Sequence, residues 1–299
     1  MGKVAFVFSG QGDQYPGMGK NLMEIPAAKA MFDLCDSIRP GTSSQCFEGT
    51  AEELKETANT QPCLYALELS LAAALKEKGL APDAAAGFSL GEICAAALAG
   101  LYSAETGFRL VMERGALMQA AAQEQDTAMA AVLKLTKEQV ENLCAKHENL
   151  YPVNFNCPGQ IAVSGLKQEM DAFLPEVKAA GGRAIPLKVR GAFHSPFMEK
   201  ASQGFEEVLK GAEMGKPNLP LYSDLTAEAY GENPRELLAK QICSPVQWET
   251  LIRNMIASGV DTFVEIGPGR TLTNLIKKID PAVTAVTGME KLEELYADR

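Results

Sequence analysis

The sequence predicts a two-domain α/β protein, because short apolar runs alternate with helical patterns and the order of these elements changes in the middle of the chain. Its 299 residues suggest about two domains, at roughly 150 residues each. Toward both ends of the chain, apolar runs stop at glycine-rich turns, as buried strands do. In the middle, two helical patterns lie between four strand-like runs.

The ends of the chain supply the elements of the larger domain. The run Lys3–Phe8 stops at Ser-Gly-Gln-Gly, which predicts a buried strand followed by a tight loop. Leucines at helical spacing over residues 61–79, with Gly79 at the end, predict a helix that faces the core. The remaining elements are predicted as a strand over 84–88, a helix over 90–99, a helix capped by Ser103 and reaching about Ala122, a strand over 261–266 and a helix over 271–279.

Residues 123–196 are predicted to form a small domain inserted between residues 1–122 and 197–299. Thr136 and Gln139 form a capping box that begins a helix reaching about residue 147. The other elements are predicted as strands over 127–135, 151–155, 160–164 and 183–189 and a helix over 167–180. The resulting order β-α-β-β-α-β is the ferredoxin-like pattern.

The composition argues against several classes of protein. The net charge is −10, so broad nucleic-acid binding, which needs a large positive field, is not expected. The seven cysteines include no CxxC pair and there are only two histidines, so we expect no metal site. Scattered single cysteines fit a reducing cytoplasm. The first apolar run is too short for a secretory signal, and the longest apolar stretch is too short to span a membrane.

The strongest functional signal is the segment 87–91, Gly-Phe-Ser-Leu-Gly, which has the form G-x-S-x-G. It follows a predicted strand and begins a predicted helix, which is the context of a nucleophile elbow. The glycines permit a sharp turn, and the helix N-terminus favours negative charge that develops at Ser89. We therefore predict a large domain that is α/β-hydrolase-like and has Ser89 as nucleophile. The alternative is a tight turn in which Ser89 only caps the helix.

A serine nucleophile needs a general base, and the chain offers His147 and His194. His147 lies at the polar end of a predicted small-domain helix, where we expect it to be solvated and to offset the helix dipole. His194 lies near the return to the large domain, so we place it in the cleft between the domains. A capping or core histidine is the alternative for His194.

Two backbone amides are candidates for an oxyanion hole. The first loop fails as a dinucleotide fingerprint, because Tyr15 stands where the third glycine belongs. In an α/β-hydrolase-like sheet, one oxyanion donor follows the nucleophile and the other comes from a different strand's loop. The N–H groups of Leu90 and Gln11 fit these roles, and an ordinary glycine-rich turn is the alternative for the first loop.

Arg114 lies in a largely apolar helical stretch with small neighbours. A guanidinium there can form a two-pronged pair with a carboxylate. The alternative is an internal salt bridge with Glu113 or Glu92.

Eight segments spread over almost the whole chain form a specific set. They are FSGQGDQYPGMG, NTQPCLYA, GFSLGE, MERGALM, NCPGQIAVSG, GAFHSPFM, SPVQWET and VEIGPGRTLTNLI. In this order they resemble the malonyl-CoA:acyl carrier protein transacylase family and the acyltransferase domains of polyketide synthases. The resemblance implies Ser89 as nucleophile, His194 as base and Arg114 as the group that receives the malonyl carboxylate. It also implies that Gln247, through its backbone carbonyl, orients the histidine.

The resemblance also assigns Gln11, Phe193 and Asn156 to the substrate site. Phe193, before the histidine, and Leu90, after the serine, would crowd an α-methyl group, so malonyl is favoured over methylmalonyl. Phe88 departs from the family, which usually has histidine before the nucleophile, and this removes a polar neighbour of the substrate pocket.

The activity implied by the resemblance is transfer of malonyl from malonyl-CoA to the phosphopantetheine thiol of acyl carrier protein, in support of fatty-acid synthesis. The resemblance implies a cytoplasmic monomer without a bound cofactor. A polyketide carrier protein is an alternative acceptor. The rival functions are a serine hydrolase on the same scaffold, against which Arg114 argues, and a non-catalytic carrier-binding subunit, against which the Ser89 and His194 pair argues.

Carrier proteins of the resembling systems are acidic, like this chain, so docking must depend on a local basic patch. Arg183, Lys188 and Arg190 precede His194 and are the candidates for that patch. A solvated strand end is the alternative.

Overall fold

The computed structural model describes residues 2–189 and 191–297, whose strands form two sheets. The strands are β1 (Lys3–Phe8), β2 (Ala84–Gly87), β3 (Thr127–Leu133), β4 (Leu150–Cys157), β5 (Gln160–Leu166), β6 (Arg183–Pro186), β7 (Leu221–Tyr222), β8 (Val260–Ile266) and β9 (Thr284–Thr287). The helices are α1 (Pro26–Ile38), α2 (Thr42–Glu48), α3 (Thr57–Glu77), α4 (Leu90–Leu98), α5 (Ala104–Ala122), α6 (Lys137–Cys144), α7 (Lys167–Ala179), α8 (Glu199–Lys210), α9 (Pro234–Lys240), α10 (Trp248–Ala257), α11 (Thr271–Ile279) and α12 (Gly288–Ala297).

The larger sheet consists of five parallel strands in the order β7-β2-β1-β8-β9. Successive side chains of a strand point to opposite faces, and in the central strand β1 both faces are apolar. Phe6 and Phe8 join the core cluster that contains α3, α4 and α5, whereas Ala5 and Val7 join the cluster that contains α10 and α11. Helices on both faces bury the strands, as parallel sheets require.

The smaller sheet is antiparallel, with the order β4-β5-β3-β6. Helices α6 and α7 share a core with it through Val140, Phe173 and Val177. Met129 and Val153, from β3 and β4, instead belong to the main core. The small sheet is therefore buried between its own helices and the rest of the molecule.

An extended segment before α10 joins the two parts of the molecule. The N–H of Val246 donates to the carbonyl of Val153 at 2.8 Å, and the N–H of Phe155 donates to the carbonyl of Val246 at 2.9 Å. These bonds attach β4 to the chain that returns to the large sheet. The cleft between the two sheets is consequently built from both of them.

Most predicted elements are present, with changed ends. Helix α3 begins at Thr57, four residues before the predicted start, and Pro62 lies inside it. Strand β6 pairs with β3 only over Arg183–Pro186, so the predicted strand was too long. The elements α1, α2, α8, α9, α10, α12, β7 and β9 were left unassigned. Within the part of the chain that the structure describes, no helix combines the length and apolar character needed to cross a bilayer.

Candidate active site

Ser89 lies in the turn from β2 to α4 and has a strained backbone, with φ of 55° and ψ of −104°. The two flanking glycines are required by close packing. A Cβ on Gly87 would lie 1.9 Å from the carbonyl carbon of Gly91, and a Cβ on Gly91 would lie 2.2 Å from the carbonyl oxygen of Phe8. The turn is therefore pressed against the end of β1, and this places the Ser89 side chain at the edge where the parallel strands end.

The hydroxyl of Ser89 pairs with His194. Ser89 Oγ lies 2.8 Å from His194 Nε2, and no helix-capping bond is formed by the serine side chain. His194 Nδ1 lies 2.9 Å from the backbone carbonyl of Gln241, which can only accept. Nδ1 must therefore carry the proton, which leaves Nε2 free to accept the proton of the serine hydroxyl. This is the arrangement of a nucleophile and its general base.

The carbonyl at His194 belongs to Gln241 and not to Gln247, so the assignment of that role to Gln247 was wrong. The short 3₁₀ helix Gln241–Cys243 directs the Gln241 carbonyl toward the imidazole. Gln247 lies at the start of α10, where its N–H donates to the carbonyl of Asp224 at 2.6 Å. Sequence position alone could not distinguish the two glutamines, since the choice depends on where the 3₁₀ turn is made.

His194 is held firmly on both sides and is almost completely buried. Its own N–H donates to the carbonyl of Ile242 at 3.2 Å, and Ser164 Oγ of β5 donates to the carbonyl of Phe193 at 3.2 Å. Burial, followed by the positive charge of Arg114, lowers the pKa of His194 to about 4. The imidazole is consequently neutral at physiological pH, the state that a general base requires.

Arg114 of α5 is fully buried beside the nucleophile. Its guanidinium donates to Gln61 Oε1 at 3.0 Å, to Gln241 Oε1 at 2.7 Å and to Ser89 Oγ at 3.1 Å. Its hydrogen-bond partners in the described chain are neutral amide and hydroxyl oxygens, so the internal salt bridge considered as the alternative is not formed. Nε of Arg114 has no partner among those residues.

Arg114 keeps its charge despite its burial. Burial lowers the pKa of Arg114 to about 10, and the nearby carboxyl groups of Asp224 and Glu92 oppose that shift. A cation with neutral partners and an unpaired donor, 3.1 Å from the nucleophile, can bind a carboxylate on an acyl group.

Behind the serine lies a buried acidic network that the sequence did not predict. Asp224 Oδ2 accepts the N–H of Ser89 at 2.6 Å, and Glu92 Oε2 accepts the N–H of Asp224 at 2.9 Å. The hydroxyl of Tyr230 donates to Glu92, and Gln241 Nε2 donates to Glu92 at 3.1 Å. Burial, followed by the charge of Glu92, raises the pKa of Asp224 well above its usual range. Glu92 follows the elbow motif directly, whereas no local signal marked Asp224.

The two residues whose amides are proposed for the oxyanion hole lie at the nucleophile. Gln11 and Leu90 both line the cavity at Ser89, and neither backbone N–H has a hydrogen-bond partner in the described chain. Gly10 packs tightly there, since a Cβ on it would lie 2.9 Å from the carbonyl oxygen of Phe88. The Phe88 ring also lines the cavity and contacts Trp248, with ring centroids 5.4 Å apart.

The cavity at Ser89 has a volume of about 100 Å³. Its lining residues are Gln11, Gln61, Phe88, Ser89, Leu90, Arg114, Met118, Met129, Asn154, Leu187, Val189, Phe193 and His194. Phe193 and Leu90 are thus both at the cavity. Asn156 does not line the cavity, and Asn154 does so instead. The pairing of β4 with β5 is irregular between Asn154 and its neighbours, which prevents simple alternation from identifying the inward side chain.

The other candidate residues lie away from Ser89. His147 is only 11% exposed and its Nε2 lies 3.2 Å from Glu176 Oε1, so the expectation of a solvated histidine was wrong. Arg183 and Lys188 are exposed, on β6 and just after it, and Arg190 lies outside the described residues. Lys188 does not line the cavity, but Leu187 and Val189 on either side of it in the chain do.

A serine–histidine pair on a strand-to-helix turn of a parallel sheet, with two free backbone amides nearby, defines a serine-dependent acyl-transfer enzyme. Residues 5–291 match the family model described as acyl transferase domain. The chain belongs to this acyl transferase family.

Individual relatives agree over almost their full lengths. The malonyl CoA-acyl carrier protein transacylase of Bacillus subtilis is 40% identical over 304 residues, which cover 98% of this chain and 96% of that protein. The crystal structure of malonyl CoA-acyl carrier protein transacylase from Clostridium perfringens has a TM-score of 0.94 at 34% identity and covers 99% of this chain and 98% of its own. A malonyl-transacylase in complex with a type II PKS acyl-carrier protein has a TM-score of 0.93 at 33% identity and covers 98% of this chain and 99% of its own.

The depressed pKa of His194 predicts the pH dependence of serine acylation. Only the neutral imidazole can accept the serine proton, so the rate should stay constant as the pH falls below 6.5 and should drop near pH 4. Because Arg114 is the second cause of the depression, Arg114→Ala should move this drop to higher pH. The measurement is the rate at which an uncharged serine-acylating reagent modifies Ser89 as a function of pH.

Arg109→Ala is the matched control, since Arg109 lies on the same helix, is exposed and pairs with Glu105. It should leave the pH profile unchanged. A wild-type rate that already halves near pH 6.5 would contradict the assigned state of His194.

Proposed function

We propose that this chain transfers the malonyl group of malonyl-CoA to the phosphopantetheine thiol of acyl carrier protein through a malonyl-Ser89 intermediate. The observation that carries this proposal is the buried guanidinium of Arg114, which lies 3.1 Å from the nucleophilic oxygen and has only neutral partners in the described chain. An acyl group that ends in a carboxylate fits such a site. The names of the relatives, malonyl CoA-acyl carrier protein transacylases, support the same substrates.

In the first half-reaction, Ser89 Oγ attacks the thioester carbonyl of malonyl-CoA while His194 Nε2 accepts the hydroxyl proton. The carbonyl oxygen becomes negatively charged and is stabilised by the N–H groups of Gln11 and Leu90. The carbon–sulfur bond then breaks, CoA leaves as its thiol with the proton from His194, and a malonyl ester remains on Ser89. The Gln241 carbonyl keeps the imidazole oriented throughout.

In the second half-reaction, the thiol of the carrier's phosphopantetheine takes the place of CoA. His194 accepts the thiol proton as sulfur attacks the ester carbonyl, and the same two amides stabilise the oxyanion. Collapse of the intermediate returns the proton to Ser89 Oγ and releases malonyl-carrier protein. This sequence of bond changes needs no metal or redox cofactor.

Arg114 separates this function from that of a simple serine hydrolase. Two unit charges ~4 Å apart attract by about 4 kcal/mol at an effective dielectric constant of about 20, before desolvation is subtracted. This attraction orients malonyl with its thioester at Ser89. Phe193 and Leu90 line the same cavity, which supports the proposal that they crowd an α-methyl group and favour malonyl over methylmalonyl.

We also propose a domain organisation for this reaction. Residues 1–122 and 197–299 form an α/β-hydrolase-like catalytic domain, supported by the parallel sheet and the serine turn. Residues 123–196 form a ferredoxin-like domain, supported by the strand order β4-β5-β3-β6 of the antiparallel sheet. The protein acts as a monomer in the cytoplasm, where its seven free cysteines stay reduced.

The acceptor is proposed to be the carrier protein of fatty-acid synthesis. A polyketide carrier protein is the second candidate, because one structural neighbour is a malonyl-transacylase in complex with a type II PKS acyl-carrier protein. Comparison of the two carriers as acceptors, at equal concentration, distinguishes these candidates.

The nucleophile and its base are tested by the covalent adduct. Ser89→Ala should abolish the mass increase that malonyl-CoA produces, and with it all transfer. His194→Ala should slow transfer by about 10²–10⁴-fold, the usual effect of losing a general base. Intact-mass spectrometry measures the adduct, and a Ser89→Ala protein with near-normal transfer would exclude the mechanism.

The carboxylate assignment is tested by a comparison of acyl groups. Arg114→Ala should slow malonyl transfer far more than acetyl transfer, since a charge-assisted bond contributes roughly 1.5–3 kcal/mol, or about 10–150-fold in rate. The measurement is kcat/KM for malonyl-CoA and acetyl-CoA in both proteins. Arg109→Ala again serves as the control, and equal losses for the two substrates would show that Arg114 is only structural.

The docking candidates Arg183, Lys188 and Arg190 are proposed as the carrier-binding patch, because Lys188 is exposed between two residues that line the cavity and an acidic carrier needs local positive charge. Lys188→Glu should raise KM for carrier protein several-fold and leave the rate of Ser89 malonylation within about twofold. Lys216→Glu is the control, since Lys216 is also exposed but lies at a separate groove. Slower malonylation with an unchanged carrier KM would assign Lys188 to CoA instead.

A further inference from the structure

Helix α3 carries a carboxyl group that the proposed mechanism does not use. Glu68 is 0% exposed and is surrounded on its helix by buried apolar residues such as Leu64, Leu67 and Leu71. Its Oε1 accepts the hydroxyl of Ser9 at 2.5 Å, and its Oε2 has no hydrogen-bond partner in the described part of the chain. Burial raises the pKa of Glu68 well above its usual range, which favours the uncharged form of the carboxyl group.

Such a group is costly to bury, because one of its two oxygens has no hydrogen-bond partner in the described chain. A leucine would fill the same helical position without that cost. The specific contribution of Glu68 is therefore its bond to Ser9, and the question is what Ser9 holds in place.

Ser9 begins the loop that carries the Gln11 amide. Its N–H donates to the carbonyl of Ile266 at 3.0 Å, so its backbone is attached to the end of β8. Its side chain is directed to Glu68, and a Cβ on Gly267 would lie only 2.3 Å from Ser9 Oγ. The hydroxyl thus lies in a narrow space between Gly267 and Glu68.

The same carboxyl also adjoins the other half of the oxyanion hole. The pKa of Cys94, on α4, is raised by burial and then by Glu68, which places that thiol beside the carboxyl group. Helix α4 begins at Leu90, whose N–H is the second oxyanion donor. Glu68 thus bonds to the loop that carries Gln11, and its helix packs against the helix that carries Leu90.

We propose that Glu68 is a positioning residue. It acts through Ser9 to keep the Gln11 N–H aligned with the Leu90 N–H, so that both can bind the same oxyanion. The Glu68 carboxyl group holds the Ser9 hydroxyl, and the Ser9 backbone in turn positions the loop that carries the Gln11 amide. This inference rests on the proposed function, since it assigns a role within that reaction. It assigns to Glu68 a hydrogen-bonding role, which a glutamine at this position can also fill.

The test compares Ser9→Ala, Glu68→Leu, Glu68→Gln and the double variant Ser9→Ala/Glu68→Leu. Removing one oxyanion donor outright costs about 10²–10³-fold in kcat, so displacing one should lower kcat by roughly tenfold in Ser9→Ala and Glu68→Leu. KM for malonyl-CoA should stay within about twofold, because the bond acts on the transition state. Glu68→Gln should retain kcat within about twofold, and the double variant should lose no more than either single variant.

Two further measurements distinguish a positioning role of Glu68 from a general effect of the substitutions on protein stability. The oxyanion hole acts on the thioester carbonyl, so malonyl and acetyl transfer should fall by the same factor, unlike in Arg114→Ala. Ser70→Ala is the matched control, since Ser70 lies on the same helix and its buried hydroxyl has no partner in the described chain. It should leave kcat unchanged even if its Tm falls.

The inference is overturned if Ser9→Ala keeps kcat within twofold of the wild type, if its loss lies in KM alone, or if Glu68→Gln loses as much as Glu68→Leu. Should Glu68→Leu fail to fold, Ser9→Ala and Glu68→Gln decide between these outcomes. Wild-type transfer of malonyl is measured in the same assay, so failure of the proposed function would be seen independently. Acylation of Ser89 by an uncharged ester would still report on the oxyanion hole in that case.

Discussion

Gln241 connects every charged or reactive group of the site. Its carbonyl accepts from His194 Nδ1 at 2.9 Å, its side-chain oxygen accepts from Arg114 at 2.7 Å, and its side-chain nitrogen donates to the carbonyl of Ser89 at 2.8 Å. One fully buried residue thus sets the tautomer of the base, the direction of the guanidinium and the position of the nucleophile. Other contacts also restrain these groups, but among them Gln241 bonds to all three and so fixes their positions relative to one another.

The buried, positively charged guanidinium of Arg114 determines the electrostatics of the site. Arg114 is bonded to amides, while the carboxyl groups of Glu92 and Asp224 lie behind the serine and act on it through space. This arrangement leaves the guanidinium able to bind an incoming carboxylate. The same positive charge helps to keep His194 neutral, so one residue favours both the substrate and the base.

The backbone of the site is fixed by close packing at the ends of the strands. Gly87 and Gly91 leave no space for a side chain, and the turn they enclose is pressed against β1. Ser89 and His194 both have positive φ values, which non-glycine residues adopt only when surrounding contacts impose them. For Ser89 these contacts include the Asp224 carboxylate on its N–H, and for His194 they include the carbonyl of Ile242.

The sequence by itself determined the elements and groups that local chemistry specifies. The elbow at Ser89, the strand Lys3–Phe8 and the capping box at Thr136 follow from spacing and turn residues, and each is present in the structure. The identification of His194 as the partner of Ser89 rested on the scarcity of histidine and on resemblance. Only the tertiary structure decided that Gln241 holds the imidazole and that Asn154 lines the cavity. Those contacts join segments distant in the chain, where a 3₁₀ turn or an irregular strand pairing, invisible in the sequence pattern, selects which neighbouring residue faces inward.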